Sequence, residues 1–261
     1  MQQNEVVIRF YNTINEEERL QKKSGQVEFL TTMRYIHKYL KPGMKVLEVG
    51  AGTGRYSLAI AREGYEVDAI ELVERNIDLF RSKVKPGDTV RIRQGNAMDL
   101  SVYNDKTFDI TLLLGPMYHI FENIDKKRAL EEAFRVTKKD GIIFIAYCMN
   151  EPTLIQYCFQ KETIWEDKRK GLLSEDFIWT PNENDAFSLV RTEDILGLTE
   201  GYPVHRLHLV ATDGATKYME EKVDGMSDEL FDMYLKYHYS ICERNDLLGA
   251  SNHTMDILKK L

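Results

Sequence analysis

Lys45-Val-Leu-Glu-Val-Gly-Ala-Gly-Thr-Gly-Arg-Tyr-Ser-Leu58 is the stretch on which the reading of the fold turns. Val46, Leu47 and Val49 form a short, nearly continuous apolar run, the pattern of a buried central strand. Gly50, Gly52 and Gly54 interrupt it, and a helical pattern begins at Tyr56. A strand that feeds a glycine-rich turn and then a helix is a ligand cradle. Glycines let backbone amides approach a ligand closely, and the start of a helix presents unpaired N–H groups.

Two departures from the dinucleotide fingerprint G-x-G-x-x-G narrow the ligand. Arg55 stands where the third glycine should be, and the glycines fall as G-x-G-x-G instead. Glu48 places a carboxylate beside the loop, where it repels a pyrophosphate but accepts hydrogen bonds from an ammonium group. A cationic nucleoside without phosphate suits this site better than NAD.

On these residues, Val46-Leu-Glu-Val-Gly-Ala-Gly-Thr-Gly54 resembles the first motif of class I S-adenosylmethionine-dependent methyltransferases. The resemblance implies S-adenosylmethionine as cofactor, held by Glu48 and by the loop residues Gly50, Ala51, Gly52 and Gly54. Glu71 ends the strand Glu66-Val-Asp-Ala-Ile70, 21 residues past Gly50, close to the separation of about 20 at which an acid reaches ribose hydroxyls. Leu72 follows as an apolar contact for adenine. Gly95-Asn-Ala resembles the family's Gly-Asp-Ala segment, with Asn96 and the Ala97 backbone facing the adenine edge and Asp99 as a substitute acid. Leu114, at the end of Phe108-Asp-Ile-Thr-Leu-Leu-Leu114, completes the set. In related enzymes an N-terminal segment folds over the cofactor, which makes Tyr11 and Arg19 lid residues or else a packing contact and a surface charge.

The tract Gly115-Pro-Met-Tyr-His-Ile120 follows the strand expected beside the first, where open parallel sheets bind ligands. Tyr118 and His119 are therefore the candidate catalytic residues, with His119 as the base if the nucleophile arrives protonated. A structural histidine is the alternative.

Five strands alternate with helices up to Tyr147, and Val204–Thr212 and His253–Leu258 supply two more. The expected fold is α/β: one Rossmann-like, doubly wound domain with a seven-stranded, mostly parallel sheet and an antiparallel last strand. Residues 1–40 form a helical lid segment, 41–150 the cofactor-binding core, and 186–212 with 252–261 its remainder. The helical, aromatic-containing stretches 151–185 and 213–251 are expected to be cap insertions that close over an acceptor. Lys138-Lys-Asp-Gly141 reads as a turn before the fifth strand.

Composition narrows the class of partner. The 261 residues carry a formal charge of −7, and residues 151–261 hold 21 acidic against 12 basic side chains. That balance argues against a nucleic-acid acceptor, and no apolar run is long enough for a membrane span. Cys148, Cys158 and Cys242 lack metal-like spacing and read as buried free thiols of a cytoplasmic protein. A small-molecule methyl acceptor is the favoured partner. A protein or RNA methyltransferase, a nicotinamide-dependent oxidoreductase and a non-catalytic cofactor-binding module stay open.

Overall fold

The computed structural model describes residues 2–13 and 21–261. Two helices, α1 (Gln2–Thr13) and α2 (Lys23–Tyr39), precede the first strand. There follow β1 (Lys45–Val49), α3 (Arg55–Arg62), β2 (Glu66–Glu71), α4 (Glu74–Lys83), β3 (Val90–Gln94), β4 (Phe108–Leu113), α5 (Asn123–Val136) and β5 (Thr137–Met149). The remainder contains α6 (Asn150–Thr153), α7 (Ile164–Arg169), β6 (Leu189–Val190), α8 (Thr192–Leu198), β7 (Val204–Ala211), α9 (Glu220–Asp224), α10 (Asp228–Ile241) and β8 (His253–Lys260).

The strands form one sheet in the order β3-β2-β1-β4-β5-β8-β7. β1 pairs in parallel with β2 on one side and β4 on the other, and β8 runs antiparallel between β5 and β7. Sheet order reverses between β1 and β4, so the loops after these two strands open side by side. The apolar runs are continuous because helices cover both faces. Val46, Leu47 and Val49 of β1 and Ile110, Leu112 and Leu113 of β4 are wholly buried.

Two departures from the sequence reading have local causes. The sheet has eight strands rather than seven, because β6 pairs Leu189 and Val190 with Cys148 and Met149. β8 already occupies the other edge of β5 at Cys148, so β6 lies on the edge that β4 vacates. A two-residue strand carries no readable period. Second, Lys138–Gly141 is a bulge inside β5, not a turn before it. The register against β4 shifts between Phe108 and Ile110, and Asp140 takes a φ of 62°.

The insertions play unequal parts. Residues of 151–185 wall a cavity beside the β4 and β5 ends, whereas 213–251 packs Val223, Phe231 and Leu235 against Val27 of α2. From 213–251 only Lys217 lines that cavity.

Candidate functional site

The glycine loop is shaped by what presses on it. Gly50 has a φ of 76°, and a Cβ there would lie 2.6 Å from the Pro116 ring; at Gly54, with a φ of 84°, it would meet the Phe80 ring at 2.5 Å. Both positions therefore require glycine. At Gly52 a Cβ would meet nothing within 4 Å, so this glycine borders open space.

Glu71 holds the loop from below. One carboxylate oxygen accepts from the Gly52 amide at 2.8 Å, and the other from the Val73 amide at 2.9 Å and the Asn76 side chain at 3.2 Å. Burial raises its pKa against the pull of these donors. Glu71 thus fastens β2 to the loop, and the lone pairs left over are what it offers a ligand. Glu48 is fully enclosed. The Ser57 amide donates to it at 2.9 Å and the Ser57 hydroxyl donates to the same oxygen. Burial pushes its carboxyl up to about 8, with Ser57 opposing and Glu71 adding to the rise.

A cavity of about 1140 Å³, mouth included, is lined by ten of the residues expected to bind a cofactor. Glu48, Gly50, Ala51 and Gly52 lie at the β1 end, Glu71 and Leu72 at the β2 end, and Asn96, Ala97 and Leu114 along the far wall, with Tyr11 above. Gly54 shapes the turn without lining it, and Arg19 lies outside the described residues. The Asn96 carbonyl oxygen accepts from the Met98 amide at 2.9 Å, which leaves it less free for an adenine amino group than expected. Asp99 does not substitute for it. That side chain is exposed and bonds the Ser101 amide at 3.1 Å. Sequence reasoning missed Asn76 and Glu28 on this cavity wall, which stand in no motif, and passed over Ile120 and Met98 within or next to the tracts it singled out.

Both ring nitrogens of His119 have partners. Its Nδ1 is 2.7 Å from the Ala186 carbonyl, which only accepts, so Nδ1 carries the proton. Nε2 then accepts from the Tyr11 hydroxyl at 2.9 Å. Burial lowers the imidazole pKa to about 4, against the carbonyl's opposing effect. Through these contacts His119 ties α1 to the segment around Ala186. Tyr118 donates to the Leu114 carbonyl at 3.1 Å and stacks on Phe187 with ring centroids 5.9 Å apart.

A second cavity, about 1650 Å³ with its mouth, adjoins the first, and Tyr11 and Tyr118 line both. Its walls include the rings of Phe10, Tyr11, Tyr118, Tyr157, Trp179 and Phe187. Segment 186–190 fixes the shared wall. The Ser188 amide donates to the Tyr118 carbonyl at 2.7 Å, and the buried Lys126 ammonium donates to the Ser188 hydroxyl at 2.8 Å. His253 and Asn252 also reach this cavity, and neither was singled out in the sequence.

Residues 47–145 match the family described as "Methyltransferase domain". That segment is similar to a methyltransferase domain. The matched segment runs from β1 to β5 and contains both acids, the glycine loop and the Tyr118–His119 tract. A Bacillus subtilis protein named as an uncharacterised methyltransferase is 30% identical over 133 residues, covering 49% of this chain and 51% of its own. The chain thus spans about half the length of that relative. A ubiquinone biosynthesis O-methyltransferase of Pseudomonas fluorescens is 27% identical over 182 residues, 68% of this chain and 77% of its own. Among solved structures, a Thermotoga maritima methyltransferase described as a possible histamine N-methyltransferase superposes on the fold. Its TM-score is 0.57 at 19% identity, covering 98% of this chain and 99% of its own.

The first cavity suits the cofactor that this similarity implies, S-adenosylmethionine. Open space borders Gly52, three carboxylates (Glu28, Glu48 and Glu71) line the cavity against one guanidinium, Arg55, and Leu72 and Met98 supply apolar surface. No helix among the described residues is long and apolar enough to cross a membrane.

Proposed function

We propose that this chain transfers a methyl group from S-adenosylmethionine to a small, flat, aromatic acceptor bound in the second cavity. The observation that carries the reading is the junction of the two cavities at Tyr11 and Tyr118. Bound S-adenosylmethionine supplies an electrophilic methyl on a sulfonium. Glu71 then meets the ribose hydroxyls, Glu48 the ammonium end, and the Ala97 amide with Leu72 the adenine. Six aromatic rings around the second cavity suit a planar ligand and exclude water from the transfer zone. Alignment across the shared wall supplies much of the acceleration, since well-oriented reactants reach effective molarities on the order of 10⁵ M or more.

A walled pit rather than an open groove favours a small molecule over a protein or RNA acceptor. The Pseudomonas relative, by its name an O-methyltransferase of ubiquinone biosynthesis, supports an acceptor of that kind. Calorimetry with S-adenosylmethionine and with NAD is the first test, followed by mass spectrometry of phenols and amines incubated with the protein and cofactor. Saturable binding of S-adenosylmethionine alone, and methylated product from one acceptor class, are expected. Tight binding of NAD and none of S-adenosylmethionine refutes the reading.

A further inference from the structure

His253 opens β8 and lines the second cavity. Its Nδ1 lies 2.8 Å from a carboxylate oxygen of Asp213, a side chain only 1% exposed. The other Asp213 oxygen accepts from the Ser251 hydroxyl at 2.6 Å and from the His253 amide at 3.1 Å. Three donors therefore fix the carboxylate, and the carboxylate fixes the ring. Since the neutral imidazole must put its proton on Nδ1 to meet Asp213, Nε2 is left with its lone pair. No hydrogen bond to Nε2 occurs among the described residues, and the ring borders the cavity. Tyr118 stands between this ring and the first cavity, its centroid 6.1 Å from that of His253.

We propose that His253 is the general base for a hydroxyl acceptor on an aromatic ring, with Asp213 as its positioning residue. This rests on the methyl-transfer reading above. In the step, the acceptor oxygen bonds to the methyl carbon while the carbon–sulfur bond breaks with its electron pair onto sulfur. The hydroxyl proton passes to Nε2 of His253, and Nδ1–H stays on Asp213. His119, whose nitrogens are both engaged, does not compete for that proton.

The groups facing His253 come from several elements. Glu28 of α2 lies 3.7 Å from Nδ1, Cys148 of β5 pairs with it across the sheet, Asp213 follows β7, and Lys217 lines the same cavity. His238 of α10 packs beside Gly214 and acts electrostatically on Asp213. Burial disfavours the imidazolium, but Glu28, Cys148 and Asp213 outweigh it and hold the pKa well above the ordinary 6.5. A base whose pKa is raised is free only above that pKa. Transfer should therefore fall on the acid side at a pH higher than an ordinary histidine would give.

The test needs no turnover. Nitrogen-15 spectra of the ligand-free protein, titrated with pH, should show His253 protonated on Nδ1 in its neutral form, with a pKa above 6.5. In Glu28→Gln that pKa should fall, and in Asp213→Asn the Nδ1 preference should be lost. Phenol as the probe should shift the His253 Nε2 resonance, leave His119 unmoved, and bind at least tenfold more weakly to His253→Ala. An Nε2-protonated tautomer, a pKa indifferent to Glu28→Gln, or phenol binding that leaves His253 unperturbed overturns the proposal. Should Asp213→Asn not fold, the Glu28→Gln titration and the phenol shift still decide. Calorimetry with S-adenosylmethionine on the wild type and on His253→Ala separates the two readings. Loss of cofactor binding in the wild type sinks the methyl-transfer reading, whereas intact cofactor binding with a normal His253 titration sinks only the base.

Discussion

Glu48 ties its protonation state to what enters the cavity. Buried and pushed up to about 8, its carboxyl is mostly protonated at neutral pH while the cavity holds no ligand. A cation brought beside it favours the ionised form, so ligand binding should drive the proton off. Calorimetry in buffers of different ionisation enthalpy should find close to one proton released per S-adenosylmethionine bound near pH 7. The release should vanish above about pH 9 and in Glu48→Gln. The same shift bears on stability with the opposite sign from an ordinary ion-paired acid. Because the folded state binds the proton more tightly than the unfolded one, its contribution is most favourable at low pH. It declines from the unfolded value of about 4.5 to the folded value of about 8. Release of no proton would mean that the ammonium group lies elsewhere, with Glu48 serving as a partner of Ser57 alone.

At the scale of elements, α1 is held by a few contacts between distant parts of the chain. Tyr11 bonds His119, Phe10 meets the Phe187 ring edge-on at 5.1 Å, and Arg75 donates to the Asn12 carbonyl at 2.6 Å. Tyr11→Phe removes the hydroxyl that occupies the lone pair of His119. We expect the His119 pKa to rise from about 4 toward the ordinary range, and α1 amides to exchange faster, with little change in overall stability. Proton NMR titration and hydrogen exchange check both; an unmoved His119 would show that burial alone sets its basicity. The sequence made α1 legible as part of a helical segment over residues 1–40, but not its anchor. Tyr11 and His119 stand 108 residues apart, and Asp213 and His253 stand 40 apart. Such pairs are joined only by closure of the fold. The glycine loop and Glu71 were readable because strand, turn and acid are local signals with fixed spacing.

For the whole molecule, the parallel half of the sheet was legible from its apolar runs, each bounded by glycine or proline. The antiparallel β8 and the insertion before it were legible in outline, from the alternating pattern of His253–Leu258. Which insertion would face the cavity was not, since aromatic content alone does not say which side of a helix packs. The cavities themselves share more than a wall. Asn4, Val7 and Tyr11 of α1 lie over the first, and Phe10 and Tyr11 of the same helix over the second. The proposed cofactor and acceptor sites thus share one helix as their cover. On the proposed function, one swing of α1 would free the spent cofactor and the methylated product together, and its frequency would set the pace for both. Acceptors of unlike nucleophilicity should then share nearly one kcat, and that kcat should fall as solvent viscosity rises. A kcat that instead tracks acceptor reactivity and ignores viscosity would place the slow step in the bond exchange and leave the helix a passive roof.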